Sequence, residues 1–237
     1  MSYESDGYVL LKNAVSQDLL DDLDQKVVGL LREWTGIDVQ STSSKAFADI
    51  LLSDRELERR LYDGVRNFDW LPGVSSDDQL KDAVSTVMGP EFGLFSKIPL
   101  RFDLPAVIRE LAVWHQDYWY VKGNTDVVTL WMPLQDTPYD LGCLMVMPGS
   151  HKLGALNHDG EALGKRHYPK GVFDREVRYV EMKRGDVLMF HSLLLHSSGM
   201  NVAKTARLSI QARYTPLNAP ADPGMGTVIP LSTKAED

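Results

Sequence analysis

Cysteine is almost missing from this chain: Cys143 stands alone among 237 residues. One thiol builds no disulfide framework, which excludes the small cross-linked secreted scaffolds and makes a reducing cytoplasm the expected compartment. Its neighbours Gly142, Leu144 and Met145 mark it as a buried small hydrophobe. Long apolar runs are also missing, and none approaches the roughly 20 residues a membrane helix needs. The opening MSYESDGYVLLK lacks the basic start and apolar stretch of a signal peptide. Basic charge is in deficit, with 25 Lys and Arg against 33 Asp and Glu and a net charge of -8. That balance disfavours non-specific binding to nucleic acid or an anionic membrane. No basic stripe with interleaved aromatics offsets it.

What is present reads as an ordinary globular protein, 43% hydrophobic and 24% charged. Gly7–Leu11 is a strand candidate. Ser16 then has the place of a helix cap, followed by Leu19, Leu20, Leu23, Val27, Leu30 and Leu31 at helical spacing. Residues 44–66 carry a second stripe (Phe47, Ile50, Leu51, Leu57, Leu61), and a third helix is expected over 77–88, stopped by Gly89-Pro90. From about residue 93 the texture changes to short apolar runs between turn signals: 93–101, 111–120, 126–134, 142–147, 177–182, 186–191 and 205–214. Many short strands without intervening helices point to a sandwich, barrel or jelly roll. Residues 151–176 form a polar excursion, and the proline-bearing tail after Pro216 reads as an extended strap or a loose end. One domain with helices packed on a β core is expected, divided into a mostly helical 1–92, a β core 93–216 and a C-terminal extension 217–237.

The chemistry concentrates in Trp114-His115-Gln116-Asp117. On a strand, His-x-Asp sets one imidazole and one carboxylate on the same face, able to meet one cation. A third ligand must come from elsewhere, and His196 or His191 can supply it; five residues apart on a regular strand, they face opposite ways. Two histidines and a carboxylate make the facial triad of non-haem Fe(II) oxygenases. Arg207, eleven residues after His196 and flanked by apolar Leu208 and Ile210, needs a partner inside its strand. Its planar fork suits a carboxylate, such as the distal one of 2-oxoglutarate.

Several motifs in order carry a resemblance. They are Asp6-Gly7-Tyr8-Val9-Leu10-Leu11, Trp114-His115-Gln116-Asp117, Trp131-Met132-Pro133-Leu134, the turn Pro148-Gly149-Ser150-His151, and the run from Gly185-Asp186 through His196, Ser198-Gly199 and Asn201 to Arg207. Together they resemble the phytanoyl-CoA dioxygenase-like family of Fe(II)/2-oxoglutarate oxygenases, over most of the chain. The resemblance implies a double-stranded β-helix, a cupin-like jelly roll with N-terminal helices packed on it. It implies His115, Asp117 and His196 as iron ligands and Arg207 as the 2-oxoglutarate anchor, with Gln116, Trp131 and Ser198 as further cosubstrate contacts. His191 corresponds to a histidine that does not bind metal, and His151 reads as structural, closing hydrogen bonds in its turn.

The activity implied is an Fe(II)- and 2-oxoglutarate-dependent dioxygenase. It would use O2 to hydroxylate an unactivated carbon of a small metabolite, with release of succinate and CO2. Because Asp117 is present, hydroxylation is favoured over halogenation. Desaturation, epimerisation or cyclisation at the same centre, and a non-catalytic jelly-roll binding protein, are the alternatives. Trp114, Tyr118, Trp119 and Tyr120 surround the motif, and strand alternation would send Trp119 into the pocket with His115 and Asp117. Trp114 and Tyr118 are weaker candidates for substrate contact. Arg101 either faces the pocket or pairs with Asp103. Lys152, Lys165, Arg166, His167, Lys170 and Arg175 make the 151–176 excursion basic, either for an anionic substrate or simply as a solvated loop.

Overall fold

The computed structural model describes residues 2–107, 112–158, 160–162, 166–169 and 174–233. The chain opens with helix α1 (Tyr3–Asp6) and strand β1 (Tyr8–Leu11). Helix α2 (Gln17–Thr35) starts at the expected cap, where Ser16 Oγ accepts the Leu19 N–H at 3.4 Å. Its stripe of Leu19, Leu20, Leu23, Val27 and Leu31 is buried. The helix expected over 44–66 is two helices, α3 (Lys45–Ser53) and α4 (Arg55–Asn67). Asp54 causes the break: its backbone is extended, and its side chain caps α4 by accepting the Glu56 and Leu57 N–H groups at 3.0 and 2.9 Å. Next come α5 (Leu71–Ser76), which the sequence reading did not foresee, and α6 (Asp78–Met88). Asp77 Oδ1 caps α6 through the Leu80 N–H at 3.0 Å, and its Oδ2 accepts the Ser16 hydroxyl at 2.6 Å. One buried carboxylate thus ties the N-termini of α2 and α6 together, where the helix dipoles favour negative charge.

The strands that follow are β2 (Glu91–Phe95), β3 (Leu100–Asp103), β4 (Val128–Pro133), β5 (Leu144–Val146), β6 (Gly160–Ala162), β7 (Arg166–Tyr168), β8 (Arg178–Val180), β9 (Val187–His191), β10 (His196–Ser198), β11 (Arg207–Thr215) and β12 (Val228–Ser232). The larger sheet runs β1-β9-β4-β11-β2-β12, with β3 also paired to β11; the smaller runs β10-β5-β8. Every pairing in both is antiparallel.

Alternation along the central strands divides the interior in two. Val128, Leu130 and Met132 of β4, Val187 and Met189 of β9, and Leu208, Ile210, Ala212 and Tyr214 of β11 join the buried residues of α2, α3, α4 and α6 in one apolar cluster. The opposite faces supply Trp131, Leu188 and Phe190, which pack against Leu144, Val146 and Val180 of the smaller sheet. Two sheets face each other with helices on the outside of the larger one: this is the jelly-roll core with flanking helices. Each fully buried Leu or Phe contributes about 1.5–3 kcal/mol. The helix–sheet cluster is therefore what holds β11 in place behind the site.

Two expectations change. Residues 112–120 are not a strand: they carry a single bridge, His115 to His196, and a 3-10 turn at Asp117–Trp119. The tail is neither strap nor loose end over Val228–Ser232, because β12 pairs with β2 and extends the larger sheet. Cys143 is buried, and burial pushes its thiol up to about 11, so it is inert packing. Among the described residues no helix is long and apolar enough to cross a membrane. Of the basic excursion, Lys165 and Lys170 and the side chains of Arg166 and His167 lie outside the described residues.

Candidate metal centre

The backbones of His115 and His196 exchange hydrogen bonds, each N–H donating to the other's carbonyl at 3.0 Å. Their rings are brought to 4.2 Å between centroids. Each Nδ1–H is held by the carbonyl two residues back, Val113 at 2.6 Å for His115 and Leu194 at 3.0 Å for His196. Both Nε2 lone pairs are therefore directed inward, the tautomer a metal ligand needs. Asp117, at the start of its 3-10 turn, sets Oδ1 at 3.6 Å from His115 Nε2 and 3.7 Å from His196 Nε2. All three residues are buried, and their donor atoms lie within 4.8 Å of one another. This donor set fits Fe(II) by its chemistry: two imidazoles and one carboxylate on one side, leaving the other positions of an octahedral ion open.

The electrostatics agree with a ligand role. Burial, and then the neighbouring His115, pull His196 down to about 3, so its imidazole is neutral. Burial by itself would raise the Asp117 carboxyl. The Arg213 guanidinium, with smaller contributions from the two histidines, holds it well below the usual carboxylate range.

The three residues border a cavity of about 380 Å³. Its floor is the inner face of β11, where Arg207, Ser209, Gln211 and Arg213 alternate with the apolar residues on the helix side. Trp131, Leu144 and Phe190 wall it from the two sheets. Arg207 is 1% exposed. Its Nη2 donates to Asp103 Oδ2 at 2.6 Å and to Ser198 Oγ at 3.2 Å, and its Nη1 donates to the Gly142 carbonyl. Its Nε–H is buried with no acceptor among the described residues. A buried donor on a cation at a cavity wall is a place for a ligand's carboxylate, so the residues also fit the distal end of 2-oxoglutarate. Gly142 has to be glycine. Its φ is +80°, and a Cβ would stand 2.5 Å from the Gly199 carbonyl oxygen.

Of the residues singled out from the sequence, His115, Asp117, His196, Arg207, Trp131, Ser198 and Arg101 border the cavity together. Arg101 does both things expected of it, since it also stands 3.9 Å from Asp103. Gln116 does not border the cavity. It is 0% exposed, and its amide donates to the Gly154 and Leu193 carbonyls at 2.9 and 2.8 Å and accepts the Leu156 N–H at 2.8 Å. Trp119, Trp114 and Tyr118 do not border it either, whereas Tyr120 does. The reason is local: without a strand at 112–120, alternation does not apply, and the 3-10 turn sends Trp119 onto His158, stacked at 4.9 Å and 12°. His191 faces away, its Nδ1 accepting the Leu193 N–H at 3.1 Å. His151 packs over Gly7, with Nε2 3.2 Å from the Glu4 carbonyl.

The sequence reading missed Gln211, Arg213 and His158. The first two share the parity of Arg207 on the expected strand 205–214, which would have found them. His158, whose Nε2 accepts the Gln116 N–H at 3.0 Å, has no local signal.

A sequence model described as phytanoyl-CoA dioxygenase (PhyH) matches residues 3–209. The chain is 27% identical to 1-deoxypentalenic acid 11-beta-hydroxylase of Streptomyces exfoliatus, over 99% of its own length and 86% of the relative's. It is 26% identical to the peroxisomal phytanoyl-CoA dioxygenase of Mus musculus, over 90% of this chain and 66% of that one. Among solved structures, the non-heme monooxygenase ThoJ superposes with a TM-score of 0.66 at 20% identity, over 99% of this chain and 79% of that one. The epimerase SnoN, in complex with Fe3+, alpha ketoglutarate and nogalamycin RO, gives 0.62 at 22% identity, over 95% and 84%. These superpositions place the jelly-roll fold beyond dispute.

Proposed function

This chain belongs to the phytanoyl-CoA dioxygenase family and is a 2-oxoglutarate-dependent non-haem iron dioxygenase; from that premise we propose that His115, Asp117 and His196 hold Fe(II) and that Arg207 anchors the cosubstrate. One observation carries the reading: three buried donor atoms from two distant stretches converge within 4.8 Å on the wall of a cavity that also contains a buried arginine. When bound, iron and 2-oxoglutarate supply the activation of O2 that hydroxylates an unactivated carbon, with succinate and CO2 released.

The chain's own residues supply the setting. The Val113 and Leu194 carbonyls fix the imidazole tautomers. Arg207 offers its Nε–H to the distal carboxylate while Asp103, Ser198 and Gly142 hold the rest of the guanidinium in place. Trp131 and Ser198 border the cosubstrate. Trp131, Leu144 and Phe190 keep water from the reacting carbon. No side-chain acid or base is called for.

The substrate is a compact, largely apolar metabolite with a polar or acidic end. Three features support this. The cavity of about 380 Å³ is at the small end of ligand sites. Away from the metal ligands and the polar floor its walls are aromatic and aliphatic, with Tyr62, Tyr120, Trp131, Leu144 and Phe190. Arg101, directly opposite Ser209 in the β3–β11 ladder, gives it a cationic edge. Residues 1–237 act as one oxygenase domain, supported by the apolar cluster that helices and sheet share. A reducing compartment such as the cytoplasm suits the single buried thiol.

The test is a succinate-release screen over small carboxylic acids, including 1-deoxypentalenic acid, with mass detection of products. Gain of one oxygen atom is the expected result. Loss of two hydrogens, or an unchanged mass with inverted configuration, would replace hydroxylation by desaturation, cyclisation or epimerisation. Absence of any substrate-stimulated succinate would count against the small-acid class.

A further inference from the structure

Asp117 is held by more than its place in the turn. Its Oδ2 accepts the Thr129 hydroxyl at 2.6 Å and the Arg213 Nε–H at 3.1 Å, while Oδ1 is the oxygen that faces both imidazoles. Thr129 and Arg213 are direct partners in the β4–β11 ladder. Opposed residues point to the same face of a sheet, here the inner one, so the register itself delivers both donors to one oxygen. Neither is an ordinary surface group: Thr129 is wholly buried and Arg213 is 7% exposed. Gln211 Oε1, at 2.8 Å from Arg213 Nη2, fixes the far side of the guanidinium.

We propose that Thr129 and Arg213 are positioning residues for the metal centre, which reserve Oδ2 of Asp117 and leave the ion a single carboxylate oxygen. The proposal rests on the reading of Asp117 as an iron ligand. Its chemical content is specific. An ion taking both oxygens would have to break a charge-assisted bond and a short hydroxyl bond together, so Asp117 binds through one oxygen and the open coordination positions stay open. The guanidinium also draws charge from the carboxylate and makes it a weaker donor than an unpaired aspartate.

The experiment is anaerobic titration of the metal-free protein with Fe(II) and 2-oxoglutarate, reading the energy of the visible iron-to-cosubstrate charge-transfer band. A stronger carboxylate donor makes iron easier to oxidise and moves that band to longer wavelength. The expected result is a shift to longer wavelength in Arg213→Gln and a smaller one in Thr129→Val, with Arg213→Lys, which keeps the charge, closer to wild type than Arg213→Gln. Thr129→Val preserves shape and carries the test alone if Arg213→Gln does not fold. Folding is checked by thermal melting. A band at the wild-type position in every folded variant overturns the proposal. A wild-type protein with no band at all overturns instead the iron and 2-oxoglutarate reading on which it stands.

Discussion

Replacing Gln116 by methionine separates a contact to cosubstrate from a structural tie. Between two proposed metal ligands, Gln116 is a natural candidate for the former, yet its amide is fully engaged with the chain at Gly154, Leu156 and Leu193. Methionine matches its length and removes all three bonds. Leu193 is 7% exposed, so its carbonyl loses its partner with no water to replace it, at about 1–3 kcal/mol. Gly154 and Leu156 are partly open to solvent, and losing those two bonds costs about 0.5–1.5 kcal/mol each. The sum is about 2–6 kcal/mol. In a chain of this length each kcal/mol moves the melting temperature by about 2–4 °C, so Gln116→Met should melt roughly 4–24 °C lower. Well below that melt, 2-oxoglutarate affinity, read by titration calorimetry on the Fe(II)-loaded protein, should change by less than about threefold. An unchanged melting temperature with cosubstrate affinity lost about tenfold or more would refute the reasoning.

Gly142→Ala should lower the melting temperature by more than about 4 °C. It forces a left-handed residue, at about 1–2 kcal/mol, and drives a Cβ into the Gly199 carbonyl. It should also weaken 2-oxoglutarate binding, because the Gly142 carbonyl orients Arg207; a variant indistinguishable in both measurements would contradict this. Asp77→Ala removes the cap of α6 and the acceptor of Ser16, and should cost about 1–2 kcal/mol in urea denaturation, whereas no loss would mean the two helix starts are independent. For the metal-free protein the sign of the pH dependence is fixed by His196, lowered in the fold to about 3 from about 6.5 in the unfolded chain. Between those values the unfolded chain takes up a proton that the folded one refuses. Stability is then full above about pH 6.5 and falls as pH drops toward 3. Melting curves at pH 8 and pH 5 should differ more for wild type than for His196→Gln, and equal differences would exclude His196 as the cause.

Helix α2 was legible because cap and apolar stripe coincide, starting at Ser16, and α6 because Gly89-Pro90 marks its end. The break between α3 and α4 was not, since one aspartate interrupts the backbone without interrupting the stripe. Most strands of the core were legible from run length and turn signals, but the expected 93–101 is two strands, β2 and β3, β10 was not foreseen, and 112–120 is no strand. The aromatic and apolar residues of 112–120 imitate a strand, while its backbone makes one bridge to β10, at His115, and a further bond where the Ala112 carbonyl accepts the Ser198 N–H at 2.9 Å. The triad was found from motif order, the joining of His115 to His196 being a tertiary event that spacing does not encode. Arg207 was visible as a charge inside an apolar strand. Arg213 was visible by the same parity and overlooked. The pocket place given to Trp119 changes because a 3-10 turn stands where alternation was assumed, whereas the cosubstrate contact given to Gln116 came from the resemblance, and its amide is bonded to Gly154, Leu193 and Leu156 instead.

The central claim is that His115, Asp117 and His196 hold one Fe(II) beside a cosubstrate gripped by Arg207. Its most direct measurement is anaerobic addition of Fe(II) and then 2-oxoglutarate to wild type, Asp117→Ala and His196→Ala, followed by visible absorption. One equivalent of iron and a weak charge-transfer band in wild type, with the band missing from both variants, is the predicted result. A band of full intensity in either variant would contradict the account.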